Sequence, residues 1–392
     1  MKYTVVRSLV LLLIAACDEP GKPTAHADRE SASTTAPVAH ADSKAPPSGV
    51  TSAPVSATQI SQYIRRMFQD RDGNMWFGTT SDGVARYDGR DLVYFNAANG
   101  LGSDWVSSMV QDQQGNLWFG TRDGVSRFDG NGFTRYTTKD GLADDRVWCL
   151  LLDKSGVLWC GTQEGVSRFN GRTFTSFPIP AADLSQHPYY QDPKQINWII
   201  QDKAGNIWFA SNGGGAYRYD GHTLTNLSEK DGLCNNFVQT ILEDRAGNLW
   251  LGTRYGGLCK YDPGSSPGAG SNAFTQFTRK ELKGDHVWTV YQDSAGMIWI
   301  SVAASGLCSY DGTTFTCYNE QDGEGIRVVQ SLLEDASGQL WIGTSNGVYK
   351  FDPSTPLRTG RKRFTNWTKQ NIARRAAEEG GSVFKAVPRE RN

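Results

Sequence analysis

The sequence predicts an all-β fold, a single seven-bladed β-propeller of four-stranded antiparallel blades. Three observations carry this. The phrase Asp-x-x-Gly-x-x-Trp occurs seven times, with its Trp at 76, 118, 159, 208, 250, 299 and 341. The spacings are 42, 41, 49, 42, 49 and 42, a period near 42 with two insertions. Between the copies lie short alternating runs broken by Gly, Asp and Asn, in a chain with 43 glycines and 12 tryptophans. A repeat of about 40–45 residues made of short strands has the length of one propeller blade.

Each element of the repeat has its own signal. The first strand is a β-branched or aliphatic run, as at 106–110 and 238–242. Asp-x-x-Gly then turns the chain, the Asp oxygen capping backbone N–H groups and the Gly accepting a left-handed conformation. The second strand carries the Trp. A Gly-containing loop leads into a third strand such as 125–128, and Asp129-Gly130 or Asn170-Gly171 turns it into a fourth, such as 133–136. Each unit leaves apolar faces that only its neighbours can cover, and closing seven into a ring removes the lateral edges. Burying each Trp between blades contributes about 2–3 kcal/mol. The repeated Trp and turn Asp residues are therefore read as scaffold, not site. The last strand of blade seven falls weakly at 363–367, so the N-terminal segment near Val50 is an alternative closing strand.

The phrase Asp-x-x-Gly-Asn-Leu-Trp-x-Gly-Thr, followed by Gly-Val/Leu-x-Arg-Tyr/Phe-Asp, resembles the two-component regulator propeller repeat. The resemblance runs over residues 60–369, with Ala210-Ser211 and Ser301-Val302 departing from Gly-Thr in blades four and six. Members of that family usually sit in periplasmic sensors of hybrid histidine kinases, often as tandem propellers. The resemblance thus implies ligand sensing, with the transmitter expected to be a separate protein. Other propeller classes fit less well. The Gly-His and Trp-Asp pairs of WD40 blades are missing, and sialidase-type Asp-boxes are one residue shorter.

The organisation expected along the chain is a signal peptide at 1–16, a tether at 17–58, the propeller at 59–369 and a charged tail at 370–392. Lys2 and Arg7 precede an apolar run, residues 9–16, too short to span a bilayer. Ile14-Ala15-Ala16-Cys17 resembles the lipobox of bacterial lipoproteins, which implies cleavage before Cys17, its lipidation, and a place in the bacterial cell envelope. The tether is Ala, Ser, Thr and Pro with almost no large apolar residue, so it cannot bury enough surface to offset its ordering entropy. The tail, with Ala-Arg-Arg-Ala-Ala-Glu-Glu, reads as a short exposed helix. A net charge of −1 argues against nucleic acid as a partner.

If the repeated columns build the scaffold, the variable columns of the first strand hold the function. Counting back from the turn Asp, positions six, three and two earlier are apolar in every blade. Position seven earlier reads Tyr63, Trp105, Arg146, Gln195, Phe237, His286 and Val328, and position five earlier reads Arg65, Ser107, Trp148, Asn197, Gln239, Trp288 and Gln330. Rings stack on sugars or planar ligands, and Arg forks suit carboxylate or sulfate. The binding residues expected at the channel mouth are Tyr63, Arg65, Trp105, Arg146, Trp148, Phe237, His286 and Trp288. The insertion at 178–193, with Tyr189 and Tyr190, is expected to form a lid over them. The mixture favours a small-molecule or glycan ligand, an acidic saccharide or a similar anionic and partly flat molecule. A plug of the channel mouth is the structural alternative.

No catalytic arrangement is visible. The five His residues show no metal-ligand spacing, no Gly-x-Ser-x-Gly occurs, and neither metal nor cofactor is called for. The loop acids Asp82, Asp123 and Glu164 read as solvated. A propeller lyase or hydrolase, and a scaffold lipoprotein that binds envelope proteins, are the competing functions. Export favours oxidised cysteines. Cys149 with Cys160, and Cys308 with Cys317, sit about turns as cross-strand pairs, leaving Cys234 and Cys259 near the proposed binding face.

Overall fold

Every copy of the repeat folds as the period requires. The computed structural model describes residues 55–56, 60–187, 190–264, 273–318, 326, 328–354 and 364–368. The expectations for the signal peptide, most of the tether, the tail and Tyr189 fall outside these residues. The seven first strands are Ile64–Gln69, Val106–Gln111, Val147–Leu152, Ile196–Gln201, Val238–Glu243, Val287–Gln292 and Val329–Glu334. Each begins an antiparallel sheet in which first, second, third and fourth strands pair in order. Neighbouring first strands touch all the way round, and the last touches the first, so the ring is closed.

Blade seven supplies all four of its strands, ending at Phe364–Asn366. The N-terminal alternative is not used for closure. Val55–Ser56, inside the segment read as tether, instead pairs with Leu92–Phe95 as a fifth strand on the outer edge of blade one.

The repeated Trp residues pack between blades. Trp76 packs with Phe119 and Phe128 of blade two, and Trp341 with Phe77 of blade one across the closure. The Gly after the Trp is a close approach to the next blade. A Cβ at Gly252 would lie 2.6 Å from Cγ1 of Val287. Blade six has Ser301 at that position, and its hydroxyl donates to the Val329 carbonyl of blade seven at 2.6 Å. The departure from Gly-Thr there becomes an inter-blade bond.

The turn Asp does more than cap its turn. In each blade its Oδ2 accepts the indole N–H of the Trp six residues on, at 2.6–2.9 Å. Its Oδ1 accepts the backbone N–H four residues on, as Asp112 does from Asn116 at 2.9 Å. Neighbouring turns are tied by the residue just before the Asp. Gln111, Gln201, Glu243, Gln292 and Glu334 each accept a backbone N–H from the turn of the preceding blade, at 2.5–2.9 Å. Gln69 closes this belt by accepting from Ala336 at 2.8 Å.

The cysteines correct one expectation and extend another. Cys308–Cys317 is a disulfide between paired residues of the third and fourth strands of blade six. Cys234–Cys259 is a second disulfide. Cys149 and Cys160 are free and buried. The turn between them runs from Asp153 to Val157, five residues and not four, so Cys160 pairs with Leu150 and Cys149 with Gly161. A one-residue shift sends the two side chains to opposite faces. Cys149 joins the core against blade four and Cys160 the core against blade two.

Candidate functional site

The first strands share one irregularity that builds the site. In all seven blades the register slips at the second residue of the strand, between Ile64 and Arg66 in blade one and at the matching place in the others. The slipped residue is the one five before the Asp. A bulge leaves its residue out of the ladder and re-aims the side chain. Here the seven bulged residues, Arg65, Ser107, Trp148, Asn197, Gln239, Trp288 and Gln330, all line one cavity of about 280 Å³. Seven blades converging on one space is the channel predicted from the variable columns.

Two arginines of blade one make three tryptophan–guanidinium contacts around this channel. The Arg65 guanidinium lies 4.3 Å from the Trp105 ring and 5.4 Å from the Trp148 ring of blade three. Arg66 reaches blade four, 4.2 Å from the Trp198 ring, and donates from Nε to the Ser107 carbonyl at 3.1 Å. Each such contact is worth roughly 0.5–2 kcal/mol. Burial, reinforced by the neighbouring Arg122 charge, lowers Arg65 to about 10. Burial and the Arg65 charge lower Arg66 to about 10. Both stay cationic at neutral pH. Arg254 of blade five also lines the cavity, and its buried Nε has no partner. No carboxylate lines the cavity, and none of these three arginines is ion-paired among the described residues.

The column seven before the Asp behaves differently. Only Gln195 of that column lines the cavity, donating to Asn197 at 2.6 Å. Trp105 is buried beneath Arg65 and Arg122, with Trp148 edge-on at 5.5 Å, and it backs the cavity wall without lining it. Arg146 is exposed, ion-paired with Asp144 at 3.1 Å, and does not line the cavity. Tyr63 is exposed at the rim. Phe237 is buried beneath His187 and Tyr190 of the inserted loop, at 4.8 and 4.9 Å. His286 stacks on Trp288 at 4.1 Å, its Nε2 buried without a partner. Burial and the Arg254 charge push it down to about 4, so it is neutral at pH 7.

The inserted loop reaches the site at one corner. Tyr190 lies 5.2 Å from the Arg254 guanidinium as well as against Phe237, and Ala182 N–H to the Pro193 carbonyl (2.7 Å) closes the base of the loop. The described part of the inserted loop thus packs against blade five. Sequence reasoning missed Arg66, Trp198, Arg122 and Arg254. The first two lie in the column four before the Asp. The other two directly follow the Gly-Thr of their second strands, a column that also varies between blades. Among the loop acids, Asp123 is ion-paired with Arg135 and Glu164 with Lys194, and neither lines the cavity. Among the described residues no three His, Cys, Asp or Glu converge as a metal site.

Residues 58–81, 100–123, 141–164, 191–213, 232–255 and 323–346 match the two component regulator propeller model. The protein is a seven-bladed propeller related to that family. No curated protein matches the sequence. Among solved structures it resembles the extracellular domain of BT3049 from B. thetaiotaomicron, described as part of a hybrid two component system. The identity is 20% and the TM-score 0.54, covering 79% of this chain and 47% of that one. The chain spans about half the length of such extracellular-domain structures. It also resembles virginiamycin B lyase from Staphylococcus aureus (11% identity, TM-score 0.56, 75% of this chain and 96% of that one). A third likeness is to PorZ, a surface component of the type-IX secretion system of Porphyromonas gingivalis (17%, TM-score 0.57, 76% and 47%). A two component system domain, an enzyme and a secretion component share the fold, so these structures agree on architecture alone.

Proposed function

We propose that this regulator-type propeller binds a small anionic ligand in its central channel, as the sensing part of a signalling system of the cell envelope. The observation that carries the reading is the cavity itself: three partly buried guanidinium groups and three Trp rings, with no carboxylate. A charge kept from water without a partner is unfavourable, and an anion relieves that cost. Arg forks give bidentate recognition of carboxylate or sulfate, and the rings offer flat faces. An acidic monosaccharide has both features and suits a cavity of about 280 Å³. Cys17 is the proposed lipid anchor, placing the propeller outside the cytoplasm.

The test is calorimetric titration with glucuronate, galacturonate and benzoate against neutral glucose. Saturable binding of an anionic probe, no binding of glucose and an unchanged probe at the end support the reading. Consumption of the probe favours the lyase-type alternative. Failure of every anion, together with a protein that co-purifies through the channel face, favours the scaffold.

A further inference from the structure

The belt that ties neighbouring turns has one break, and the break has a defined chemistry. At four junctions a single glutamine carboxamide makes both bonds. Gln111 accepts from Arg71 N–H at 2.9 Å and donates to its own turn at the Gly115 carbonyl at 3.1 Å. Gln69, Gln201 and Gln292 do the same, donating to Gly73, Gly205 and Gly296. Glu243 and Glu334 supply the acceptor at two more. Between blades two and three the residue at this position is Leu152. Among the described residues neither the exposed Gln113 N–H of blade two nor the exposed Gly156 carbonyl of blade three has the partner that the other junctions supply.

The same junction holds a cleft of about 430 Å³, lined by Leu152 and Gly156 together with Trp118, Tyr136, Phe169 and Arg127. The Arg127 Nε is buried with no partner. A second tie is missing here as well. Arg71, Lys154, Lys203 and Arg245 each follow a turn Asp and cap carbonyls of the next turn, but blade two has Gln113 there, which caps none. Asp112 also lines the cleft, and its carboxylate is already engaged by Trp118 and Asn116. A neutral group therefore suits this cleft better than a second anion.

We propose that the cleft between blades two and three is a second binding site, for a glutamine side chain of a peptide partner. Its amide donates to the Gly156 carbonyl inside the cleft, its carbonyl reaches past the lining residue Gln114 to the neighbouring Gln113 N–H, and an adjoining apolar residue lies on Leu152, Tyr136 and Phe169. The cleft is larger than one carboxamide, which favours a peptide over a free amide. The site is independent of the channel and stands or falls separately from the anion.

The experiment titrates the protein with acetyl-leucyl-glutaminyl-leucine N-methylamide, following heat and the Trp118 indole N–H resonance. Saturable binding is expected, weakened at least tenfold when norleucine replaces glutamine. Leu152→Gln supplies the carboxamide from within the chain, and is expected to weaken peptide binding at least tenfold while the melting temperature holds or rises. Leu152→Glu, which reproduces Glu243 and Glu334, serves the same purpose if the first variant does not fold. The proposal is overturned if no saturable binding occurs, if the norleucine peptide binds equally, or if a folded Leu152→Gln protein binds as the parent does. Propionamide binding as tightly as the peptide would overturn the peptide as occupant.

Discussion

The indole N–H of Trp118 donates to the carboxylate of Asp112 at 2.8 Å, and this one bond joins the turn to the inter-blade core. Six other blades repeat it. The columns that look like separate turn and packing signals are thus two halves of one device. Removing the Asp leaves a buried indole without an acceptor and a turn without its cap.

Asp112→Ala is therefore expected to destabilise the protein by about 2–4 kcal/mol, from a lost cap and an unsatisfied buried donor. Urea unfolding measures it. Anion affinity of the folded fraction should be unchanged, because Asp112 does not line the channel.

The turn carboxylates set the acid limit of the fold. Burial raises the pKa of Asp112, Asp153, Asp244 and Asp335, but hydrogen bonds outweigh it and hold all four below the usual range. A depressed folded-state pKa means stability that is present above the unfolded value and lost as pH falls through the folded one. Stability should stay flat with respect to these groups above about pH 5 and fall progressively below about pH 4. Melting temperature against pH tests this, and Asp112→Asn should show a shallower acid limb.

Arg66→Met separates function from stability. Removing a largely desolvated cation without a carboxylate partner should leave the ligand-free melting temperature unchanged or raise it. Anion binding should weaken by well over tenfold. Trp148→Ala should also weaken binding tenfold or more if the ring stacks on ligand. Trp105→Ala should instead lower stability, because that ring is buried under Arg65.

His286 adds a separate pH dependence. Its folded pKa, about 4, lies below the ordinary 6.5. The unfolded chain therefore binds the proton first, and stability rises with pH between about 4 and 6.5 from this group. His286→Gln should flatten the melting curve in that window. Above pH 7 the variant and parent should show the same pH slope.

Thiol titration checks the cysteine pattern. Apart from Cys17, the unreduced and denatured chain should release two thiols, Cys149 and Cys160. Folded protein should react slowly at both, since burial lifts Cys149 to about 12 and raises Cys160 well above its ordinary value.

The blade count and the strand order were legible because they rest on columns that repeat seven times. The site was legible in part, and the bulge is the reason. Straight alternation puts positions seven and five before the Asp on one face, so both columns read as channel. The slip at position five keeps that column in the channel and leaves Trp105 buried, Phe237 covered and Arg146 at the surface. Arg66, one residue past the bulge, consequently reaches the axis. The Cys149 and Cys160 pairing failed on the same kind of detail, a turn one residue longer than its Asp-x-x-Gly signature.

Blade seven meets blade one without exchanging a strand, held by Trp341 on Phe77 and by Ala336 N–H on Gln69. Among the described residues no covalent connection reinforces that contact, whereas every other junction is spanned by the chain. Closing a loop of this length costs about 5 kcal/mol of chain entropy by the logarithmic rule. Because each blade is complete in itself, the order in which blades are synthesised is structurally arbitrary. A circular permutant that joins the ends of the ring and opens the connection between blades three and four keeps every sheet intact. In the natural order, hydrogen exchange of the ring is expected to begin at the seam between blades seven and one, and the permutant should move that seam to wherever the chain is cut.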